Sequence, residues 1–174
     1  MKFKTTFILL LLLTFSCKDE KRTADTNVQE KKEYFSFTIN AVIEKDDEFT
    51  LFYLDEENTD IKKENSVSVK TKGSSTPQEL FFQLPDDTLP LRLLLRYGND
   101  EKSQTIQIVD AKLSYHGKDI IVSRQNFFQF FNPNKFIDYN QEEFKAVSKE
   151  MDGTYSPTFI SRKVLENKID HKLY

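Results

Sequence analysis

The chain has 174 residues, with 25 Lys and Arg, 28 Asp and Glu, one Cys and no Trp, and its formal net charge is −3 at neutral pH. Nucleic-acid-binding proteins concentrate Lys and Arg on one surface, so this mildly acidic balance argues against a nucleic-acid partner. A single Cys cannot form an internal disulfide. The fold must therefore be held by a hydrophobic core, which a chain of this length can bury.

Residues 1–16 are predicted to form a secretory signal peptide. Lys2 and Lys4 give a positive start, and the apolar stretch 7–13 follows. This stretch is too short to cross a bilayer, which takes roughly 20 apolar residues. A positive start, a brief apolar region and a small residue before the cleavage point are typical of exported proteins. Here the small residue is Ser16, directly before Cys17.

The segment that ends at Cys17 resembles the lipobox of bacterial lipoproteins, in the looser form found in Bacteroidota. In that family the Cys is acylated and becomes the first residue of the mature protein. Leu is preferred three residues earlier, where this chain has Thr14. The resemblance implies a lipid anchor in the outer membrane of the cell envelope, on its periplasmic or its surface-exposed face. An ordinary secretory signal with an incidental Cys17 and a retained membrane-anchoring segment are the alternatives.

Residues 17–33 are expected to form a flexible tether behind this anchor. The stretch from Lys18 to Glu33 has little apolar material, so it cannot bury enough surface to fold. Its first residues, KDEKR, resemble the surface-export signals of Bacteroidota lipoproteins, with a plain solvated linker as the alternative. Without residues 1–16 the chain carries 23 basic and 28 acidic residues, a net charge of −5.

From residue 34 onward, alternating apolar and polar residues predict β-strands. The first is YFSFTINAVI (34–43), with Phe35 to Ile43 alternating as in a half-buried strand. Further strands are predicted for FTLFYL (49–54), SVSVKT (66–71), QELFFQL (78–84), PLRLLLRYG (90–98), TIQIVDAKLSYHG (105–117) and DIIV (119–122). In PLRLLLRYG, Arg92 and Arg96 lie on the face opposite the apolar residues. The alternation slips near Asp110, where a β-bulge is expected.

The C-terminal part has a different pattern. NQEEFKAVSKEM (140–151) has apolar residues at spacings of three and four, which indicates a short amphipathic helix. SRKVLENKIDHKL (161–173) predicts a terminal helix with Ser161 as its N-cap. Val164, Leu165 and Ile169 would form the buried side of that helix.

These elements predict an all-β fold for residues 34–174: an antiparallel, jelly-roll-like β-sandwich of about 7–8 strands with short C-terminal helical additions. The chain from FTLFYL onward resembles β-sandwich modules of Bacteroidota envelope proteins, through Asn-Ser-Val (65–67), a Leu-Pro step and an Arg-Leu strand that ends in Gly-Asn (98–99). These motifs are turns and strands, so the resemblance implies a fold. Carbohydrate binding is implied by architectural analogy alone.

No catalytic or metal-binding motif is present in the sequence. His116 lies in YHGK, a predicted turn, and His171 is close to the C-terminus, whereas a zinc site needs three or four ligands. Gly-x-Ser-x-Gly and Gly-rich phosphate loops are absent. DEENTD (55–60) offers oxygen ligands but lacks the Gly and the final Glu of an EF-hand loop. We therefore expect no enzymatic activity, no metal and no cofactor.

The Tyr residues are candidates for ligand binding, because a Tyr ring offers an apolar face and a polar hydroxyl to a sugar. The candidates are Tyr97, Tyr115, Tyr139 and Tyr155. The absence of Trp weakens this prediction, since Trp is a common sugar platform.

A cluster of Phe residues is the most unusual local feature, with Phe127, Phe128, Phe130 and Phe131 in five positions. One interpretation is an exposed patch that binds a partner. The other is a segment that closes one end of the sandwich.

The sequence therefore predicts a non-enzymatic, lipid-anchored envelope protein that binds a glycan or a surface polymer. The alternative is a protein-interaction or inhibitory accessory subunit of a membrane complex.

Replacing Cys17 by Ala is expected to release the protein from membranes. Each buried methylene of an acyl chain contributes about 0.8 kcal/mol to membrane binding. The variant has no thiol to acylate, so it carries no acyl chain. Membrane fractionation of cells that express wild type, Cys17→Ala and the tether control Thr26→Ala tests this expectation. Membrane association of Cys17→Ala equal to that of the control would contradict acylation.

Overall fold

The structure is a computed structural model that describes residues 34–57, 59–100 and 102–174. The predicted signal peptide (1–16), Cys17 and the rest of the predicted tether (to residue 33) lie outside the described residues. The described part has eleven β-strands and two α-helices: β1 (Ser36–Ile43), β2 (Asp47–Leu54), β3 (Ser66–Thr71), β4 (Ser74–Gln83), β5 (Arg92–Arg96), β6 (Thr105–Tyr115), β7 (Lys118–Ser123), α1 (Phe127–Phe130), β8 (Phe131–Pro133), β9 (Ile137–Asn140), β10 (Lys145–Ser148), β11 (Thr158–Ser161) and α2 (Lys163–Leu173).

The strands form two antiparallel sheets, which confirms the predicted all-β sandwich. Sheet A has the order β4–β1–β6–β10–β9, and β7 also pairs with β6. Sheet B has the order β3–β2–β5–β11–β8. The described strands outnumber those predicted because β8 to β11 have only three or four residues each. Alternation over so few residues gives too weak a pattern to recognise.

The core lies between the two sheets and follows from the alternation along each strand. In β1, Phe37, Ile39 and Ala41 point inward and are at most 1% exposed. The facing strands of sheet B bury Leu51 and Leu95 in the same way. Alternate positions of a strand face one side of the sheet, so each strand supplies one apolar row.

A β-bulge interrupts the pairing of β1 with β6. Asn40 pairs with Asp110, whereas the next residue, Ala41, pairs with Ile108, so Val109 is the extra residue. The slip in alternation near Asp110 is therefore a bulge, as predicted. Because of this extra residue, Ile108 before the bulge and Ala111 after it both point into the core.

The predicted helix over residues 140–151 is wrong, because this segment contains strand β10. β10 pairs with β6 on one side and with β9 on the other. Ala146 and Ser148 are buried at alternate positions, as in any strand of a sandwich. Phe144, just before β10, has φ +55°, which a helix does not allow. Pairing on both edges outweighs the local helical pattern.

The predicted C-terminal helix is confirmed as α2, but its N-cap is Arg162 and not Ser161. Ser161 belongs to β11, where its hydroxyl oxygen accepts a hydrogen bond from the backbone N–H of Leu93 at 3.1 Å. Of the residues expected on the buried side of α2, Leu165 and Ile169 are fully buried, whereas Val164 is 60% exposed.

Helix α2 is tied to β5 by a partly buried ion pair. Arg92 Nε donates to Glu166 Oε1 at 2.9 Å, and Lys163 Nζ lies 3.2 Å from Glu166 Oε2. Burial opposes ionisation of Glu166, but these two cations outweigh it and hold the pKa of Glu166 below its usual value. The carboxylate is therefore ionised at neutral pH and fixes the start of β5.

At the opposite end of β5, the carboxylate of Asp47 is buried and accepts four hydrogen bonds. Oδ1 accepts from the backbone N–H groups of Glu48 (2.8 Å) and Asp100 (3.2 Å). Oδ2 accepts from the backbone N–H of Gly98 (2.7 Å) and from Nε2 of Gln104 (3.2 Å). One side chain thus joins the start of β2, the turn after β5 and the start of β6.

Gly98 has to be a glycine at this corner for two reasons. Its φ is +72°, a conformation that other residues rarely adopt. A Cβ atom would also lie 2.1 Å from the hydroxyl oxygen of Tyr155. That hydroxyl is hydrogen-bonded to Ser148 Oγ at 2.5 Å, so it is not free to move away.

Replacing Asp47 by Ala is expected to lower the free energy of unfolding by about 3 kcal/mol or more, because each buried donor left without a partner costs about 1–3 kcal/mol. Asp47→Asn keeps the shape and is expected to fall between wild type and Asp47→Ala. Urea denaturation of the full-length chain measures this, with the exposed Asp46→Ala as the control. An Asp47→Ala variant as stable as the control would contradict the role of this carboxylate.

Candidate ligand-binding groove

Tyr97, one of the predicted ligand-binding residues, is fully buried. Its ring lies between those of Phe49 and Phe159, with centroids 5.9 and 5.7 Å away and nearly parallel planes. Burial, together with the nearby Tyr155 and Asp47, raises the pKa of Tyr97. The proposed ligand role of Tyr97 is therefore wrong, because a ring inside the core has no surface to offer a sugar.

The other three predicted Tyr residues do not form a common surface. Tyr155 is half-buried beside the corner that Asp47 organises, and burial raises its pKa. Tyr115 is half-buried against the edge of Tyr174, with ring centroids 5.8 Å apart. Tyr139 is 44% exposed on β9. Tyr139 is the most exposed of the three, and a single exposed ring does not form a binding site.

The Phe cluster is buried, which excludes the exposed partner-binding patch. Phe127 and Phe131 are 0% exposed, and Phe128 and Phe130 are each 7% exposed. Phe127 stacks on Phe131 with centroids 4.9 Å apart and meets the edge of Phe159 at 5.4 Å. A short helix lets most of these neighbours point inward, so the alternative interpretation, a core-packing segment, holds.

The outer face of sheet B carries the most distinctive polar surface of the described residues. A cross-strand row runs from Ser68 on β3 through Thr50 on β2 and Arg96 on β5 to Thr158 on β11. The hydroxyls of Ser68 and Thr50 are 2.9 Å apart. Side chains at paired positions point to the same side of a sheet. Four polar side chains are therefore aligned across the middle of this face.

A groove of about 490 Å³ lies over the part of this row formed by Ser68, Thr50 and Arg96. The lining residues are Glu48, Thr50, Phe52, Ile61, Lys62, Lys63, Ser66, Ser68, Arg96 and Asn99. This volume is in the range of small-molecule sites, roughly 300–1,000 Å³. Most such sites are lined by apolar residues, whereas hydroxyl, amide and charged groups dominate this lining. The groove therefore suits a polar ligand.

The wall formed by residues 61–63 is held in place by Asn65, which is 4% exposed. Its Oδ1 accepts from the backbone N–H of Lys62 at 2.8 Å, and its Nδ2 donates to the carbonyl of Asp60 at 2.8 Å. On the far side, Asn99 Nδ2 donates to Thr50 Oγ1 at 3.0 Å. Both walls are therefore set by hydrogen bonds before any ligand arrives.

Arg96 is the unusual residue of the groove. Its guanidinium carbon lies 4.8 Å above the centre of the Phe52 ring, and Phe52 is only 8% exposed. The Nε atom of Arg96 is buried and has no hydrogen-bond partner in the described part of the chain. Burial lowers the pKa of Arg96, although an Arg stays protonated at neutral pH. A cation is thus held in the groove, and no carboxylate of the described residues forms an ion pair with it.

The other charged groups of the groove leave it positive. Glu48 is the one carboxylate among the lining residues described, and Lys70 pairs with it at 3.3 Å. Lys62 and Lys63 add two cations, of which Lys62 lies 3.8 Å from Asp60. This local excess of positive charge contrasts with the acidic balance of the whole chain.

Sequence reasoning placed Arg96 on the face opposite the apolar residues of its strand but assigned it no function. The alternation in PLRLLLRYG was a usable signal, because an Arg in the middle of a sheet face is surrounded by neighbouring strands. Which side chains become those neighbours depends on strand pairing. Thr50 and Ser68 lie 46 and 28 residues away from Arg96 in the chain.

Among the described residues, no His, Cys, Asp or Glu side chains form a group of three or more that could hold a metal ion. Within the same residues, no helix has the length and apolar character needed to span a membrane. Comparison with known proteins adds no family, since no protein-family model matches the chain and no curated protein matches its sequence.

Replacing Tyr97 by Phe is expected to leave the free energy of unfolding unchanged or to raise it by about 1 kcal/mol. The buried hydroxyl has no hydrogen-bond partner in the described structure, so its removal relieves a desolvation cost. Tyr97→Ala would instead leave a cavity and cost about 3–5 kcal/mol. Thermal denaturation of both variants measures this, and destabilisation of Tyr97→Phe by more than 1 kcal/mol would contradict it.

Proposed function

We propose that this protein is a non-enzymatic, lipid-anchored component of the bacterial cell envelope that binds a glycan or surface polymer in the groove of sheet B. The observation that carries the proposal is the polar groove of about 490 Å³ on the outer face of sheet B, lined by Ser68, Thr50 and Arg96. Hydroxyl, amide and guanidinium groups in such a groove match the hydrogen-bonding groups of a sugar chain.

The anchoring part of the proposal rests on the sequence pattern that ends at Cys17. Acylation of Cys17 would attach the protein to the outer membrane, and residues 18–33 would separate the binding domain from the membrane surface. A lipid-anchored domain with an open groove is suited to hold a polymer close to the envelope.

Binding without conversion is supported by the lining of the groove. Glycoside hydrolysis by the common mechanisms uses two carboxylates on either side of the scissile bond. The described lining has one carboxylate, Glu48, and it is engaged by Lys70. The proposal therefore assigns the groove recognition and no catalytic step.

The alternative function, a protein-interaction or inhibitory subunit of a membrane complex, rested on an exposed Phe cluster. Since Phe127, Phe128, Phe130 and Phe131 are buried, that surface is missing. The remaining large apolar side chains on the outer face of sheet A, Phe81 and Ile121, have Thr38 and Lys112 between them. We therefore favour the polymer-binding function.

Filling the groove is expected to abolish binding. Ser68→Ile adds a bulky side chain at an exposed groove position and suits a strand, so it should weaken polymer binding at least tenfold without unfolding the protein. Ser36→Ile, on the outer face of sheet A, is the matched control and should bind as wild type. Affinity electrophoresis of the full-length chain through gels with dextran, xylan, alginate or polygalacturonate measures this.

Two outcomes would contradict the proposed function. One is that wild type binds none of the four polysaccharides. The other is that Ser68→Ile and Ser36→Ile bind equally well, which would place binding outside the groove.

A further inference from the structure

We propose that the ligand of the groove is an acidic glycan and that Arg96 binds the carboxylate of one of its sugars. This inference rests on the proposed polymer-binding function and specifies the chemical class of the polymer. It follows from the state of Arg96, from the charges around it and from the groups beside it, which are independent features of the groove.

Arg96 differs from the other arginines of the described structure. Arg92 is paired with Glu166 at 2.9 Å, and Arg162 donates to the carbonyl of Phe128 at 3.3 Å. Arg124 lies over Phe144 at 4.8 Å, and none of its side-chain nitrogens is both buried and unpartnered. In the described residues, Arg96 alone has a buried guanidinium nitrogen without a partner.

A partly buried cation without an ion-pair partner among the described residues lowers the stability of the fold unless a ligand compensates it. A guanidinium offers five N–H donors in a planar fork, which fits the two oxygens of a carboxylate. The guanidinium carbon lies 4.8 Å from the centre of the Phe52 ring, a cation–π contact. This contact limits the movement of the fork, so the entropy cost of ordering it on binding is small.

The surrounding charges favour an anionic ligand. Lys62 and Lys63 lie on the same groove as Arg96. The lining carboxylate Glu48 does not compete for Arg96, because its oxygen lies 3.3 Å from Lys70 Nζ. Several positive charges in one groove attract anions and raise their local concentration. This attraction weakens as salt is added.

The uncharged groups distinguish a sugar acid from an acidic peptide. The hydroxyl oxygens of Ser66 and Ser68 and the amide oxygen of Asn99 line the same groove and can accept hydrogen bonds from a ligand. The Asn99 amide hydrogens are already used, because Nδ2 donates to the Glu48 carbonyl and to Thr50 Oγ1. A sugar carries several ring hydroxyls, which can donate hydrogen bonds to such oxygens. An acidic side chain offers only acceptor oxygens, so it would leave these groove oxygens without a donor. A carboxylate next to several hydroxyls is the chemistry of a uronic acid.

The test compares polygalacturonate with its fully methyl-esterified form, in which the hydroxyls are kept and the charge is removed. Full-length wild type in detergent should bind the acid at least tenfold more tightly. Arg96→Gln should weaken binding of the acid by about 10- to 100-fold, the value of a charge-assisted hydrogen bond. It should leave binding of the ester unchanged. Arg96→Lys keeps the charge without the fork and should fall between the two.

Arg124→Gln is the matched control, because it removes a second guanidinium that lies over a Phe ring at the same distance, outside the groove lining. It should bind both polymers as wild type. If Arg96 serves binding, the melting temperature of Arg96→Gln should equal or exceed that of wild type. If Arg96 stabilised the fold instead, its removal would lower the melting temperature.

Three results would overturn the inference. The first is equal affinity of wild type for acid and ester, or for acid and neutral dextran, which leaves the proposed polymer-binding function standing. The second is equal loss of acid binding in Arg96→Gln and Arg124→Gln, or no loss in either. The third is binding of poly-L-glutamate as tight as that of polygalacturonate, which would favour an acidic peptide.

Discussion

The buried carboxylate of Asp47 is the contact on which the two sheets depend at one end of the sandwich. It accepts hydrogen bonds from segments that border β2, β5 and β6, and these strands belong to different sheets. Gln104 extends this contact, since its backbone N–H donates to Ser148 Oγ on β10 at 2.7 Å. A buried charge is tolerable only when its hydrogen bonds are complete, so the positions of these turns are closely determined.

The groove is positioned by the same contact. Arg96 ends the strand that begins at Arg92, and Gly98, two residues later, is held by Asp47. The start of this strand is held by the pair of Arg92 and Glu166, so both ends of β5 are fixed. Arg96 therefore has a rigid backbone, and the groups of a binding site are most effective when the elements that carry them are rigid.

The outer faces of the two sheets show why recognition is assigned to sheet B. On sheet A the polar groups satisfy one another, as in the hydrogen bond of Asn40 Nδ2 to Asp110 Oδ1 at 2.6 Å. On sheet B the row through Thr50 contains Arg96, whose buried Nε has no partner in the described residues. A ligand that accepts a hydrogen bond from this nitrogen would therefore be bound with a gain in free energy.

Local pattern was sufficient wherever a strand alternates over many residues. It correctly predicted the alternation of β1, the bulge beside Asp110 and the terminal helix with Leu165 and Ile169 buried. It failed where strand pairing outweighs the spacing of a short segment. The segment before and within β10 has helical spacing, yet two flanking strands make it a strand.

The sequence by itself determined which residues are apolar, how they alternate and where the only Cys stands. It therefore determined the all-β class and predicted export and anchoring, because these depend on short continuous patterns. Only the tertiary structure decided that Tyr97 and the four Phe residues of segment 127–131 are buried, and that Arg96 lies beside Thr50 with Ser68 on the next strand. Strand pairing brings together side chains from separate parts of the chain, and burial depends on which strands meet. The groove exists only in that arrangement.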